Sequence, residues 1–151
     1  MSLRTAVRLV DTGTLDTQGQ LSPDGEWLAY RSLQSGRDEV YVKRFSGDEP
    51  SWKVSANGGN SPRWRGDGKE LYYLQNNRSL MAVSIDGSGD ELHTRSPERL
   101  FDTHARICGC FNFVPSADGQ RFLINAFPNT SESQPLVVVL NWAADLERTA
   151  R

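Results

Sequence analysis

A seven-residue pattern occurs three times without a gap: Asp24-Gly25-Glu26-Trp27-Leu28-Ala29-Tyr30, Asp67-Gly68-Lys69-Glu70-Leu71-Tyr72-Tyr73 and Asp118-Gly119-Gln120-Arg121-Phe122-Leu123-Ile124. Each copy is Asp-Gly, two mostly polar positions, then an apolar run. The copies stand 43 and 51 residues apart. Repetition at such an interval means that one supersecondary unit is built several times and stacked on itself.

The unit is read from its local chemistry. Asp bonds its own backbone ahead and Gly accepts positive φ, so Asp-Gly is a turn. Before each turn stands a short strand ending Leu21-Ser22-Pro23, Arg63-Trp64-Arg65 or Phe113-Val114-Pro115, and after each comes an aromatic and aliphatic strand. That is a hairpin. A third strand follows at Glu39-Val40-Tyr41-Val42, Leu80-Met81-Ala82-Val83 and Leu136-Val137-Val138-Val139-Leu140. A fourth follows in the first two units, at Trp52-Lys53-Val54 and Arg99-Leu100-Phe101. Four antiparallel strands per repeat is the plan of a β-propeller blade. A sandwich would also give short strands, but not this repeat. The expected fold is all-β, with at least eleven strands and no helix longer than about two turns.

The ends of the chain add a detail. Arg8-Leu9-Val10-Asp11-Thr12 matches Arg99-Leu100-Phe101-Asp102-Thr103, the end of the second unit's fourth strand. Residues 5–12 therefore read as an orphan outer strand, followed by blades at 16–55, 60–103 and 111–142, the third lacking its own outer strand. Three blades cannot close a ring, since propellers have about 4–8. The expectation is a homodimer forming one six-bladed ring, with Ala6–Val10 of one chain beside Val137–Leu140 of the other.

The segments Leu21-Ser22-Pro23-Asp24-Gly25-Glu26-Trp27-Leu28-Ala29-Tyr30 and Ser61-Pro62-Arg63-Trp64-Arg65-Gly66-Asp67-Gly68-Lys69-Glu70-Leu71 resemble WD40-like PD40 repeats. Such repeats build the propellers of the TolB family and of prolyl-oligopeptidase-type peptidases. The order of segments through Gly36-Arg37-Asp38-Glu39-Val40-Tyr41-Val42 and Val137-Val138-Val139-Leu140-Asn141-Trp142 is similar to the C-terminal end of propellers fused to bacterial serine/threonine kinases. The resemblance covers about residues 5–146, departing from the Ser-Pro-Asp-Gly pattern at Arg65-Gly66-Asp67-Gly68 and Ser116-Ala117-Asp118-Gly119. It implies a bacterial, non-catalytic protein-interaction scaffold. The alternatives are an accessory propeller of a larger kinase or peptidase, and a metal-dependent propeller hydrolase.

Composition narrows the partners. Seventeen basic and nineteen acidic residues leave a net charge of −2, so no basic surplus advertises nucleic acid. No stretch approaches the roughly 20 apolar residues of a membrane span. Met1-Ser2-Leu3-Arg4-Thr5 lacks a secretory layout, which points to the cytoplasm for the chain as given. As part of a longer parent it would be periplasmic or otherwise extracytoplasmic.

No Gly-x-Ser-x-Gly elbow, phosphate loop or paired-His motif is present. His93 and His104 are the two histidines, and each reads as a surface imidazole. Cys108 and Cys110 flank one glycine, a spacing that strains a disulfide. Zinc would need further ligands, with His104 the one candidate nearby. Neither metal nor cofactor is expected. Asp24, Asp67 and Asp118 read as turn caps rather than a cation site. Trp27, Tyr30, Trp64, Tyr72 and Tyr73 read as packing between blades rather than a stacking platform. Candidate binding residues lie in the loops joining fourth to first and second to third strands, which share one face of a propeller: Asp16, Arg37, Asn57, Asn60, Arg63, His104 and Arg106. Their mixed charges suit a protein or peptide partner.

Overall fold

The computed structural model describes residues 9–46, 50–76, 78–89, 91–103, 105 and 112–126, together with the backbone of 137–140. Twelve strands and no helix occur among the described residues. The first sheet is β1 (Asp16–Leu21), β2 (Trp27–Ser32), β3 (Glu39–Arg44) and β4 (Trp52–Lys53), antiparallel in that order. The second holds β5 (Asn60–Trp64), β6 (Glu70–Gln75) and β7 (Ser79–Asp86), with both β8 (His93–Thr94) and β9 (Glu98–Asp102) paired to β7. The third is β10 (Phe113–Pro115), β11 (Arg121–Ile124) and β12 (Val137–Leu140). The sequence reading did not foresee β8, a two-residue extension with little apolar content. It pairs only with the end of β7, at Ile85 and Asp86.

The three Asp-Gly turns are built alike. Gly25, Gly68 and Gly119 take φ of 78°, 72° and 72°. Asp24, Asp67 and Asp118 each accept the amide N–H two residues on at 3.0 Å. In the first and third turns a serine hydroxyl donates to the aspartate and accepts a strand N–H, from Trp27 at 2.9 Å and Arg121 at 3.0 Å. The second turn has Arg65 in place of that serine, and its guanidinium grips Asp67 at 2.8 and 2.9 Å. The departure from Ser-Pro-Asp-Gly thus changes the donor and keeps the turn.

Packing follows from strand alternation, since successive side chains face opposite sides of a sheet. In the middle sheet Leu71, Tyr73, Met81 and Val83 pack with Trp27, Ala29, Val40 and Val42 of the first. The intervening Tyr72, Leu74, Leu80 and Ala82 pack with Phe113, Phe122 and Ile124 of the third. Tyr72 meets Phe122 edge-on at 5.0 Å. The middle sheet is covered on both faces, as a blade inside a propeller must be. All five aromatics read as core are buried.

The inner strands add a polar seam. β1 and β5 each slip register once, between Thr17 and Gln20 and between Asn60 and Arg63. Inside those bulges Gln18 and Ser61 take φ of 57° and 55°, a region that residues with a Cβ rarely occupy. The two are 43 positions apart, one blade, and Ser61 N–H donates to Gln18 Oε1 at 2.8 Å. Asn112, one blade later still, donates from Nδ2 to Ser61 Oγ at 3.0 Å. One repeat position therefore links three consecutive blades. Ser61→Ala takes an acceptor from the amides of Gln18 and Asn112 at a buried site. It should cost about 1–3 kcal/mol in urea unfolding, and an unchanged midpoint would show the seam to be idle.

The turns also set an acid limit. Ser22 and Ser116 hold Asp24 and Asp118 below the ordinary carboxylate range, and Arg65 holds Asp67 down to about 2. A folded pKa below the unfolded one stabilises above the unfolded value and is lost as pH falls through the folded one. The melting temperature should therefore drop between about pH 4 and about pH 2. Asp67→Asn should flatten that drop.

Candidate functional site

Because the Asp-Gly turns occupy one end of the blades, the loops after second and fourth strands gather at the other. There the β2–β3 loop, the β4–β5 loop and the β6–β7 turn surround a hollow of about 470 Å³, lined by Arg37, Asp38, the run Asn57-Gly58-Gly59-Asn60, and Asn76.

Beneath it lies Glu39, fully buried at the first residue of β3. Its carboxylate accepts the Ser55 hydroxyl and the Gly58 N–H, the latter at 3.1 Å. Arg37 Nε donates to its other oxygen at 2.7 Å, and Lys53 Nζ stands 3.8 Å from the same atom. Ser55 Oγ in turn accepts the Val40 N–H at 2.8 Å. One carboxylate thereby fixes the β4–β5 loop, the start of β3 and the guanidinium at the rim. Arg37 also donates to the Ala56 carbonyl at 3.2 Å, so its head is held from two sides. Asp38 is paired with Arg31 at 2.5 Å.

The two glycines of the loop have separate reasons. Gly58 takes φ of 84°, and a Cβ there would also stand 3.3 Å from Asn76 Oδ1 and the Asp38 carbonyl. Gly59 lies flat on Tyr73, where a Cβ would come within 2.8 Å of the ring. Burial pushes the Tyr73 phenol up to about 12, so it stays protonated under the loop. Asn76 takes φ of 52°, a conformation asparagine tolerates.

Of the sequence candidates, Arg37, Asn57 and Asn60 come together in this hollow. Arg63 does not. It is buried in β5, donating to the Pro62 carbonyl at 2.6 Å, and desolvation lowers its pKa. It lines a second hollow of about 280 Å³ with Gly19, Gln20, Trp64, Val114 and Pro115, walled by the inner strands of all three sheets. Asp16 is also elsewhere. It accepts the Thr12 hydroxyl at 2.8 and 2.9 Å and the Thr12 N–H at 3.2 Å, closing the turn that enters β1. His104, Arg106, Cys108 and Cys110 lie outside the described residues. Sequence reasoning missed Glu39, Ser55 and Asn76. A Glu opening a strand reads as solvated, and its burial depends on a loop 16–19 residues later. Among the described residues no three of His, Cys, Asp and Glu converge as a metal site would require.

No protein-family model matches the sequence, and no curated protein matches it. Solved structures do. The oligogalacturonate lyase from Vibrio parahaemolyticus superimposes with a TM-score of 0.58 at 16% identity, over 82% of this chain and 35% of its own. The putative TolB from Agrobacterium tumefaciens gives 0.47 at 21% identity, over 64% of this chain and 36% of that one. TolB from Acinetobacter baumannii gives 0.37 at 15% identity, over 85% and 41%. This chain thus spans roughly a third of the first two and two fifths of the third. At 16% identity the likeness to the lyase is one of fold alone, that of consecutive β-propeller blades.

Glu39→Ala would strip the Ser55 hydroxyl and the Gly58 N–H of their acceptor and leave Arg37 Nε unanchored. The cations left behind are exposed, so the cost is that of the buried neutral donors left unpaired, about 1–3 kcal/mol each. Denaturant unfolding should register a loss of that order, and a loss below about 1 kcal/mol would mean that water replaces the carboxylate freely.

Proposed function

We propose that this chain is a non-catalytic interaction module, whose blades hold the hollow at Arg37, Asn57 and Asn76 open to an extended segment of a protein partner. The observation that carries the reading is the division of labour inside the hollow. Both carboxylates at its rim and base are committed to the fold, Asp38 to Arg31 and Glu39 to its loop. The exposed groups are the outer part of the Arg37 guanidinium and the amides of Asn57 and Asn76. A primary amide both donates and accepts, which matches a peptide backbone. The volume falls in the range of specific ligand sites. Hydrolysis or transfer needs a nucleophile with a base in reach, and the one carboxylate lining the hollow, Asp38, is tied to Arg31.

The same hollow would serve an accessory propeller of a larger kinase or peptidase, its occupant then being another part of that protein. The lyase among the structural neighbours is an enzyme, but a fold shared at 16% identity does not carry its chemistry here. A metal-dependent hydrolase reading makes a separate demand. Calcium would have to raise the melting temperature by many degrees through binding to the folded state. No shift is expected.

The direct test is selection of a random peptide library against the immobilised chain and against an Asn57→Ala, Asn76→Gly variant. Both side chains are exposed and glycine accepts the positive φ at position 76, so the variant should fold. The chain should enrich a defined peptide set that the variant loses by about tenfold or more in affinity. An identical set from both proteins, or none from either, would remove this hollow from consideration.

A further inference from the structure

The charges beneath and around the hollow at Arg37 do not cancel. Arg37 Nε and Lys53 Nζ stand on one and the same oxygen of Glu39, at 2.7 and 3.8 Å. That carboxylate is fully buried, whereas the two cations are 57% and 43% exposed. One negative charge cannot neutralise both, and the surplus lies on the solvent side. Asp38, the one carboxylate among the described lining residues, does not correct it. Arg31 already holds Asp38, through Nη2 at 2.5 Å and Nε at 2.6 Å. In these ion pairs three cations face two anions.

The hydrogen-bond donors of the rim narrow what can answer that charge. The glycine amides of the loop are engaged, Gly58 N–H with Glu39 at 3.1 Å and Gly59 N–H with the Asp38 carbonyl at 2.9 Å. Neither is left to cradle a phosphate or a chain-terminal carboxylate, which are held by nests of backbone N–H groups. Arg37 uses Nε on Glu39 and Nη2 on the Ala56 carbonyl, and its Nη1 has no partner among the described residues. The side-chain amides of Asn57 and Asn76 are exposed and make no hydrogen bond to a described residue. A planar guanidinium anchored from behind is the group that grips a carboxylate through two oxygens.

We propose that the hollow recognises an aspartate or glutamate side chain within the partner's extended segment. Its carboxylate pairs with the outer part of the Arg37 guanidinium, while the amides of Asn57 and Asn76 take the flanking peptide backbone. The inference rests on the reading of the hollow as a peptide site and adds what the peptide must carry. The surplus cation supplies the attraction. The bond from Arg37 to buried Glu39 fixes the guanidinium before the ligand arrives, so little side-chain freedom is lost on binding. Because the rim is open to solvent, salt weakens the attraction.

Three random peptide libraries test this on the intact chain. The first contains Asp and Glu and ends in an amide. The second also ends in an amide but carries Asn and Gln in their place. The third lacks Asp and Glu and ends in a free carboxylate. Only the first should enrich peptides that the Asn57→Ala, Asn76→Gly variant loses. Changing the acidic residue of an enriched peptide to its amide should weaken binding by at least about tenfold. Arg37→Lys keeps a cation beside Glu39 but removes the planar fork, and should weaken the same peptide comparably. Affinity should also fall as sodium chloride is raised. Hollow-dependent peptides recovered equally from the second library overturn the acidic requirement and leave the peptide-binding reading standing. Recovery from the third alone moves the carboxylate to a chain end and overturns it too, as does an Arg37→Lys chain that binds as tightly as wild type. Acidic peptides held equally by the Asn57→Ala, Asn76→Gly variant, or no enrichment from any library, overturn both readings.

Discussion

The structure depends on sheets that are apolar on both faces. In the middle blade successive residues of β6 belong to different cores, Leu71 and Tyr73 to one, Tyr72 and Leu74 to the other. A sheet so built cannot stand at a protein surface, because either face left bare would expose a contiguous apolar patch. It must be a middle layer, and its neighbours inherit the same requirement on their far sides. The stacking of consecutive blades follows from that constraint. Strand alternation satisfies it with short strands, since two adjacent positions on one strand serve two different cores.

Apolar faces alone would let blades slide, because hydrophobic contact has no direction. Directed bonds at the inner strands and turns set the stagger. The Gln18–Ser61–Asn112 seam ties the same repeat position across three blades, and two residues hold a left-handed backbone to keep it. At the other end of the blades, Gly66 N–H donates to the Ala117 carbonyl at 3.0 Å, bringing the second and third turns together. A Cβ on Gly66 would come within 2.7 Å of that oxygen, so glycine is what lets the turns approach. Trp64 completes the register between the first two blades by donating its indole N–H to the Gln20 carbonyl at 3.1 Å.

The repeat made the blades legible in the sequence because turn chemistry and strand patterning are local. The Asp24, Asp67 and Asp118 turns were readable from a dipeptide, and the substitution of Arg65 for serine altered only the donor. The inner-strand bulges were not legible. Neither Gln18 nor Ser61 announces a positive φ, which arises from bonds to the next blade 43 residues away. The site was legible in part for the same reason. Arg37 and Asn57 stood out as polar loop residues, and the strand order was enough to bring them to one end. Glu39 did not, since its burial is decided by a serine and a glycine N–H in a later loop. Arg63 failed as a rim residue because β5 extends through it, placing it in the wall between inner strands.

The distribution of order along the blades explains why the hollow falls where it does. The Asp-Gly end is consumed by architecture: its carboxylates cap amides, its glycines take positive φ or admit a neighbouring turn, and Tyr72 reaches into it with a 2.6 Å bond to Glu70. Any change there disturbs two blades at once. The opposite end is built differently. Its loops are anchored from below, by Glu39 and the flat contact of Gly59 on Tyr73, and their upper side chains make few commitments. Anchoring from below frees the sequence above. Asn57 can vary without opening a core, whereas Glu39, Ser55, Gly58 and Gly59 cannot, and Asn76 is restricted by its positive φ. With its floor held rigid, the hollow leaves less loop ordering to be paid in binding under the proposed role.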